Sequence, residues 1–194
     1  MKNILLLGDS IRCGASSIKP GYDGFVKEKL SGIANVYFPD DNCRFAQYTL
    51  RYLGDWAKKL DAEKIDVIHW NNGLWDVLRL HGDEPLTPCN MYVEMLRRVH
   101  GKLRLLFPNA KIIFALTTSV WEEWDAAEQV RHNSEIEEYN AAAKNLMSSL
   151  GVEVNDLYSI TRSFSNKLRI DDVHFSEEGS RLLADAVVEK IMSI

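Results

Sequence analysis

Cysteine is scarce in this chain. Cys13, Cys43 and Cys89 are odd in number and far apart, which excludes a disulfide framework and a zinc cluster and makes buried or idle thiols in a reducing compartment the expectation. A basic stripe is missing as well. The 23 Lys and Arg are scattered among 28 Asp and Glu for a formal net charge of −5, so binding by counterion release has no footing and no nucleic-acid partner is expected. No window approaches the roughly 18 consecutive apolar residues of a spanning helix. The opening MKNILLL turns polar at once, with no small-residue cleavage site behind it. A cytoplasmic protein without a membrane partner is therefore expected. The glycines of "GDSIRCG" are too few and wrongly spaced for a dinucleotide or Walker loop, and no cofactor is expected. Repeats, low-complexity tracts and linkers are also lacking, which leaves residues 1–194 as one domain.

What the sequence does contain is an alternation. Short apolar runs at Asn3–Leu7, Ile33–Phe38, Ile65–Trp70 and Lys111–Leu116, with a weaker one at Val152–Val154, predict strands. Between them, apolar residues recur at helical spacing, as in Tyr48, Leu50, Leu53, Trp56, Ala57 and Leu60, or Met91, Met95, Leu96, Val99 and Leu103. Near-continuous apolar strands alternating with helices predict an α/β fold with a parallel sheet covered on both faces. The last segment predicts a helix capped by Ser176, with Leu182, Leu183, Ala186, Val187 and Ile191 on its buried face.

In such a sheet, chemistry sits beyond the carboxyl ends of the strands, and Ser10 directly follows the first apolar run. A serine hydroxyl needs a base, normally a histidine oriented by a third group. His69 lies inside a strand and reads as a core histidine, while His100 and His132 fall in solvated helical surroundings. That leaves His81 and His174. In "RIDDVHFSEEG", Asp171 precedes His174 by three residues just before the last helix, where a loop can return over the strand ends. The competing reading is a helix-entry loop with local turn and cap residues. Asp9 is expected to fix the turn through backbone bonds and to have no part in the chemistry. The spacing of His81, Asp83 and Asp76 matches no common metal site, so no metal is expected.

These residues resemble the SGNH, or GDSL-type, hydrolases, esterases and lipases on a flavodoxin-like three-layer α/β/α fold with a five-stranded parallel sheet. Gly8-Asp9-Ser10 is similar to the family's first block, which carries the nucleophile. Asp171-x-x-His174 is similar to its last block, which carries the other two triad members. The resemblance implies a serine esterase in which Ser10, His174 and Asp171 act through an acyl-enzyme. Between these ends the likeness is looser. Trp75 stands where the family's third block, Gly-x-Asn-Asp, has the asparagine that donates to the oxyanion, and the second block lacks its glycine. An oxyanion needs two or three placed donors. Ser10 N–H, the backbone N–H of Cys43 or Arg44 in a turn shaped by Asn42, and the side chain of Asn72 are the expected set, with Asn71 or the Trp75 indole in reserve.

Four of the five tryptophans, Trp70, Trp75, Trp121 and Trp124, fall at or after the third and fourth runs, and "TTSVWEEW" predicts a loop over the site. Trp75, Trp121 and Trp124 are the expected substrate contacts. Packing is the bland alternative. Short-chain, acetyl-type esters, with O-acetylated carbohydrate favoured by the resemblance, are the expected substrate. A lysophospholipase or thioesterase of the same family, and a ligand-binding relative with eroded oxyanion donors, are the alternatives.

Overall fold

A computed structural model describes residues 1–16, 19–124 and 128–194. In chain order, β1 (Lys2–Leu7) leads through a single turn α1 (Ser10–Cys13) and α2 (Asp23–Lys29) to β2 (Ala34–Tyr37). Next come α3 (Ala46–Ala57), β3 (Val67–Trp70), the short β4 (Arg79–Leu80), α4 (Cys89–Leu106) and β5 (Lys111–Ala115). The short β6 (Gln129–Val130), α5 (Asn133–Ser149), β7 (Glu153–Asn155), α6 (Leu157–Arg162) and α7 (Glu177–Met192) complete the chain. The five expected strands all form, in one parallel sheet ordered β2-β1-β3-β5-β7.

The reason lies in burial. Ile4 to Leu7 and Val67 to Trp70 have both faces of their strands removed from water, so a helical layer must cover each side. Helices α2 and α7 pack together in one layer, and α3, α4 and α5 form the row of the other. Ser176 caps α7 by accepting from Gly179 N. The predicted helix faces are slightly out of phase with the observed ones. Met91 is exposed and Tyr92 beside it is buried, and Leu182 is exposed at the edge of a stripe that Leu183 and Ala184 fill. One-residue errors of this kind arise because 3.6 residues per turn leave two adjacent positions competing for the edge of the buried stripe.

The chain passes from β1 outward to β2 and then crosses back to β3 on the other side of β1. Crevices open where connections diverge in this way, at the carboxyl ends of β1 and β3. Ser10 follows the first of these strands and Asn71 the second. Strands β4 and β6 lie outside the main sheet and pair antiparallel, Arg79 with Val130 and Leu80 with Gln129.

Candidate active site

At the end of β1 the chain must turn sharply, and side chains around Ser10 hold that turn. Asp9 accepts from Ile11 N at 2.9 Å and caps α1, the turn-fixing part expected of it. Arg12, fully buried, is the hub. Its Nε donates to Gly8 O at 3.2 Å, its Nη1 to Pro39 O at 3.3 Å and to Asp23 at 2.8 Å, and its Nη2 to Asp41 O. One guanidinium thus ties the turn carrying Ser10 to α2 and to the loop leaving β2. Nothing in the sequence distinguished Arg12 from a surface arginine, since its acceptors are mostly distant carbonyls.

The loop before α7 supplies the other two groups. Asp171 Oδ1 accepts from Val173 N at 2.9 Å and from His174 N at 2.6 Å, which fixes the carboxylate in its own turn. The imidazole Nδ1 lies 2.9 Å from Asp171 Oδ2, and Nε2 lies 2.8 Å from Ser10 Oγ. The structure therefore brings Ser10, His174 and Asp171 into one hydrogen-bonded line. Lys19 adds a fourth member by donating to Asp171 Oδ2 at 2.5 Å. Burial pushes the Asp171 carboxyl up, but the bonds from His174 and Lys19 and from two backbone N–H groups outweigh it and hold the pKa well below the carboxylate range.

His69 is buried in β3, with Nε2 at 3.2 Å from Asn155 Nδ2, and burial lowers its pKa to about 3. It is the core histidine expected. His81 lies with Gly82 and Asp83 in an exposed turn.

Two expected oxyanion donors are engaged elsewhere, and the expectation is corrected. Cys43 N–H donates to Gly8 O at 3.1 Å, closing the β2 exit loop onto the turn carrying Ser10. Asn72 is fully buried, and its amide gives both hydrogens away, to Arg44 O at 2.8 Å and Thr49 Oγ1 at 2.9 Å, while its oxygen accepts from Trp70 Nε1 at 2.7 Å. Asn71 directs its amide at Ala115 O. By contrast, Ser10 N–H and the Trp75 indole N–H have no acceptor among the described residues.

A cleft of about 510 Å³ opens at Ser10 and His174, walled by Leu74, Trp75, Trp124, Gln129 and Arg131. Trp75 and Trp124 are thus in the same cleft as Ser10 and His174. Trp121 is not. It packs against Trp124 with ring centroids 5.2 Å apart, turns its indole N–H inward and faces a separate hollow with Arg162 and Phe164. Thr117, Thr118 and Ser119 are likewise buried instead of lying over the site, and Trp70 stacks edge-on to Phe114 in the core. Arg131, missed by sequence reasoning, donates through Nε to Leu74 O at 2.6 Å and stands 3.6 Å from Asp172, with burial lowering its pKa. A larger hollow of about 660 Å³, beside His100 and Gly151, lies at the amino ends of β5 and β7, the opposite end of the strands from Ser10.

Comparison with known proteins gives this geometry a setting. The solved structures that resemble the chain include an acetyl xylan esterase, 18% identical with a TM-score of 0.77, covering 97% of this chain and 99% of that one. A lipase/acylhydrolase from Enterococcus faecalis is 21% identical with a TM-score of 0.76, covering 98% and 95%. A member of the lipolytic G-D-S-L family from Veillonella parvula is 21% identical with a TM-score of 0.72, covering both chains fully. At these identities the likeness establishes the fold. No curated protein matches in sequence. The family model for GDSL-like lipase/acylhydrolases, however, matches residues 6–182, from the last turns of β1 into α7, so the chain belongs to that family and is a hydrolase of ester bonds.

Proposed function

We propose that this protein cleaves short-chain, acetyl-type esters, with O-acetylated carbohydrate as the substrate class. The observation that carries the reading is the unbroken line Asp171–His174–Ser10, which opens onto a cleft walled by two tryptophans. In this mechanism, His174 Nε2 takes the proton as Ser10 Oγ attacks the ester carbonyl, and Asp171 stabilises the imidazolium through Nδ1. The imidazolium returns the proton to the leaving alcohol. Water, activated by the same base, then releases the acid and regenerates Ser10. Ser10 N–H is the first oxyanion donor, and the Trp75 indole N–H, standing in the position of the family's asparagine, is the second.

The cleft lining supports a small polar substrate over a long acyl chain. Leu74 and Val173 are its aliphatic members, beside Lys19, Glu128, Gln129, Arg131 and Asp172. Aromatic faces set among hydrogen-bonding groups suit the mixed surfaces of a sugar. An acetyl xylan esterase among the structural relatives agrees with this choice. We also assign the protein to the cytoplasm, in line with its three free thiols.

The engaged amides of Cys43 and Asn72 favour one rival, a binding module that retains the fold without turnover. Release of p-nitrophenol from acetate, butyrate and octanoate esters by wild type and Ser10→Ala separates the two. Turnover that is fastest on acetate and lost in Ser10→Ala supports the esterase. Equal background rates across a panel that also includes acetylated sugars would leave the binding module.

A further inference from the structure

Lys19 belongs to neither family block, yet its ammonium reaches Asp171 Oδ2, the same oxygen that faces the imidazole Nδ1 at 2.9 Å. The other oxygen is already fixed by the backbone N–H groups of Val173 and His174. We propose that Lys19 is a positioning residue for the reaction: it holds Asp171 Oδ2 against His174 and so sets the orientation of the base that serves Ser10. This rests on the triad reading above.

The chain is built to deliver that contact. Ala15 N donates to Lys19 O at 2.9 Å and Lys19 N to Ser16 O at 3.1 Å, so Lys19 is held beside Ala15 and Ser16. This placement depends on two glycines. A Cβ on Gly14, whose φ is +79°, would lie 2.8 Å from Gly21 N and from Lys19 O, and a Cβ on Gly21 would lie 2.0 Å from Arg12 O. Backbone therefore meets backbone on the α1 side. On the other side, Ser180 Oγ of α7 donates to Pro20 O at 2.7 Å. Lys19 is pinned between the helix that carries Ser10 and the helix that follows His174. A surface ion pair that merely decorates the fold contributes little and needs no such framing.

A positional role carries an electrical consequence. The charged groups facing the imidazole are Asp9 from the nucleophile turn, Asp171 and Asp172 from its own loop, Arg131 from the end of β6, and Lys19. The ammonium offsets part of the attraction that the carboxylates exert on a protonated imidazole. Its removal should therefore change the pH dependence of turnover.

The test measures kcat and KM on p-nitrophenyl acetate from about pH 5 to 9, the range where imidazole titrates, for wild type, Lys19→Met, Lys19→Arg and Ser10→Ala. Melting temperatures accompany each to show folding. Lys19→Met should lose about tenfold in kcat at unchanged KM, the acid limb of its profile should move upward, and Lys19→Arg should recover most of both. A second readout needs no substrate: the low-field proton resonance of the His174 Nδ1–H···Asp171 bond should shift in Lys19→Met and return in Lys19→Arg. A profile superimposable on wild type, or lost activity with neither limb nor resonance moved, overturns the proposal while leaving the triad intact. Wild type no faster than Ser10→Ala sinks the triad reading, and this inference falls with it.

Discussion

Ser10 Oγ and His174 Nε2 are 2.8 Å apart although 164 positions separate them in the chain. Each is held by something other than the bond between them. Ser10 rides on a turn fixed by Asp9 and Arg12, and His174 on a turn fixed by Asp171. The line is preorganised before any substrate arrives, which is the condition under which a serine hydroxyl becomes a useful nucleophile.

A fluorophosphonate should therefore modify Ser10 alone, as read by intact mass and peptide mapping. Asp171→Asn keeps the shape but presents the wrong partner to Nδ1, and should slow labelling by about 10³–10⁴-fold. Modification of another serine would remove Ser10 from the chemistry, and equal labelling of both proteins would remove Asp171.

Asn72 and Trp75 make opposite predictions. Asn72 is a buried cross-brace between Trp70, Arg44 and Thr49, so Asn72→Ala should lower stability by about 2–3 kcal/mol in denaturant titration, through orphaned polar partners. Trp75→Phe deletes an indole N–H at the cleft and should leave the melting temperature nearly unchanged while reducing kcat by about 10². An unchanged kcat would take the indole out of the oxyanion site.

Asp76 predicts an unusual pH dependence. Its carboxylate accepts from Ala46 N, at the start of α3, at 3.2 and 3.3 Å, yet burial raises its pKa to about 7. The folded state thus holds this proton more tightly than the unfolded chain does. Its contribution to stability is full below the unfolded value near 3.8 and is lost as the pH rises through about 7. Asp76→Asn, which still accepts from Ala46 but cannot ionise, should melt higher than wild type at pH 8 (about one unit above that pKa) and show little advantage at pH 4. Asp171, whose pKa is lowered, acts in the opposite sense and its contribution disappears in acid. Parallel melting curves of wild type and Asp76→Asn at both pH values would refute the assignment.

Arg12→Met should be among the most damaging single changes, costing about 3–5 kcal/mol, because Asp23 loses its partner and the carbonyls of Gly8, Pro39 and Asp41 lose their donor. Thermal unfolding checks this. A loss of activity without a loss of stability would instead mean that Arg12 acts on the reaction.

The sheet and the ends of the site were legible because their signals are local. A run such as Ile4–Leu7 announces a strand buried on both faces, and Asp171 and His174 sit three residues apart beside a cap that Ser176 declares. The oxyanion donors were not legible for a physical reason. Whether Cys43 N–H or the Asn72 amide is free depends on Gly8 O, Arg44 O and Thr49, partners that lie 23 to 35 positions away and meet them only in the folded chain. Trp121 failed in the same way, since its position in the chain placed it near the site and its rotamer turned it inward. Lys19 and Arg12 gave no periodic or motif signal at all.

The short ribbon of β4 and β6 joins the segment after β3 to the segment after β5, and the Arg79–Glu135 ion pair ties it to α5. Half of the cleft's lining, Leu74, Trp75, Trp124, Glu128, Gln129 and Arg131, comes from these two segments, while Ser10 and His174 come from neither. On the proposed reading, the ribbon segments carry one oxyanion donor, the Trp75 indole, together with side chains that would meet the rest of the ester. Exchange of Trp124, Gln129 and Arg131 should then retarget such an enzyme to a different ester while Ser10, His174 and Trp75 stay in place.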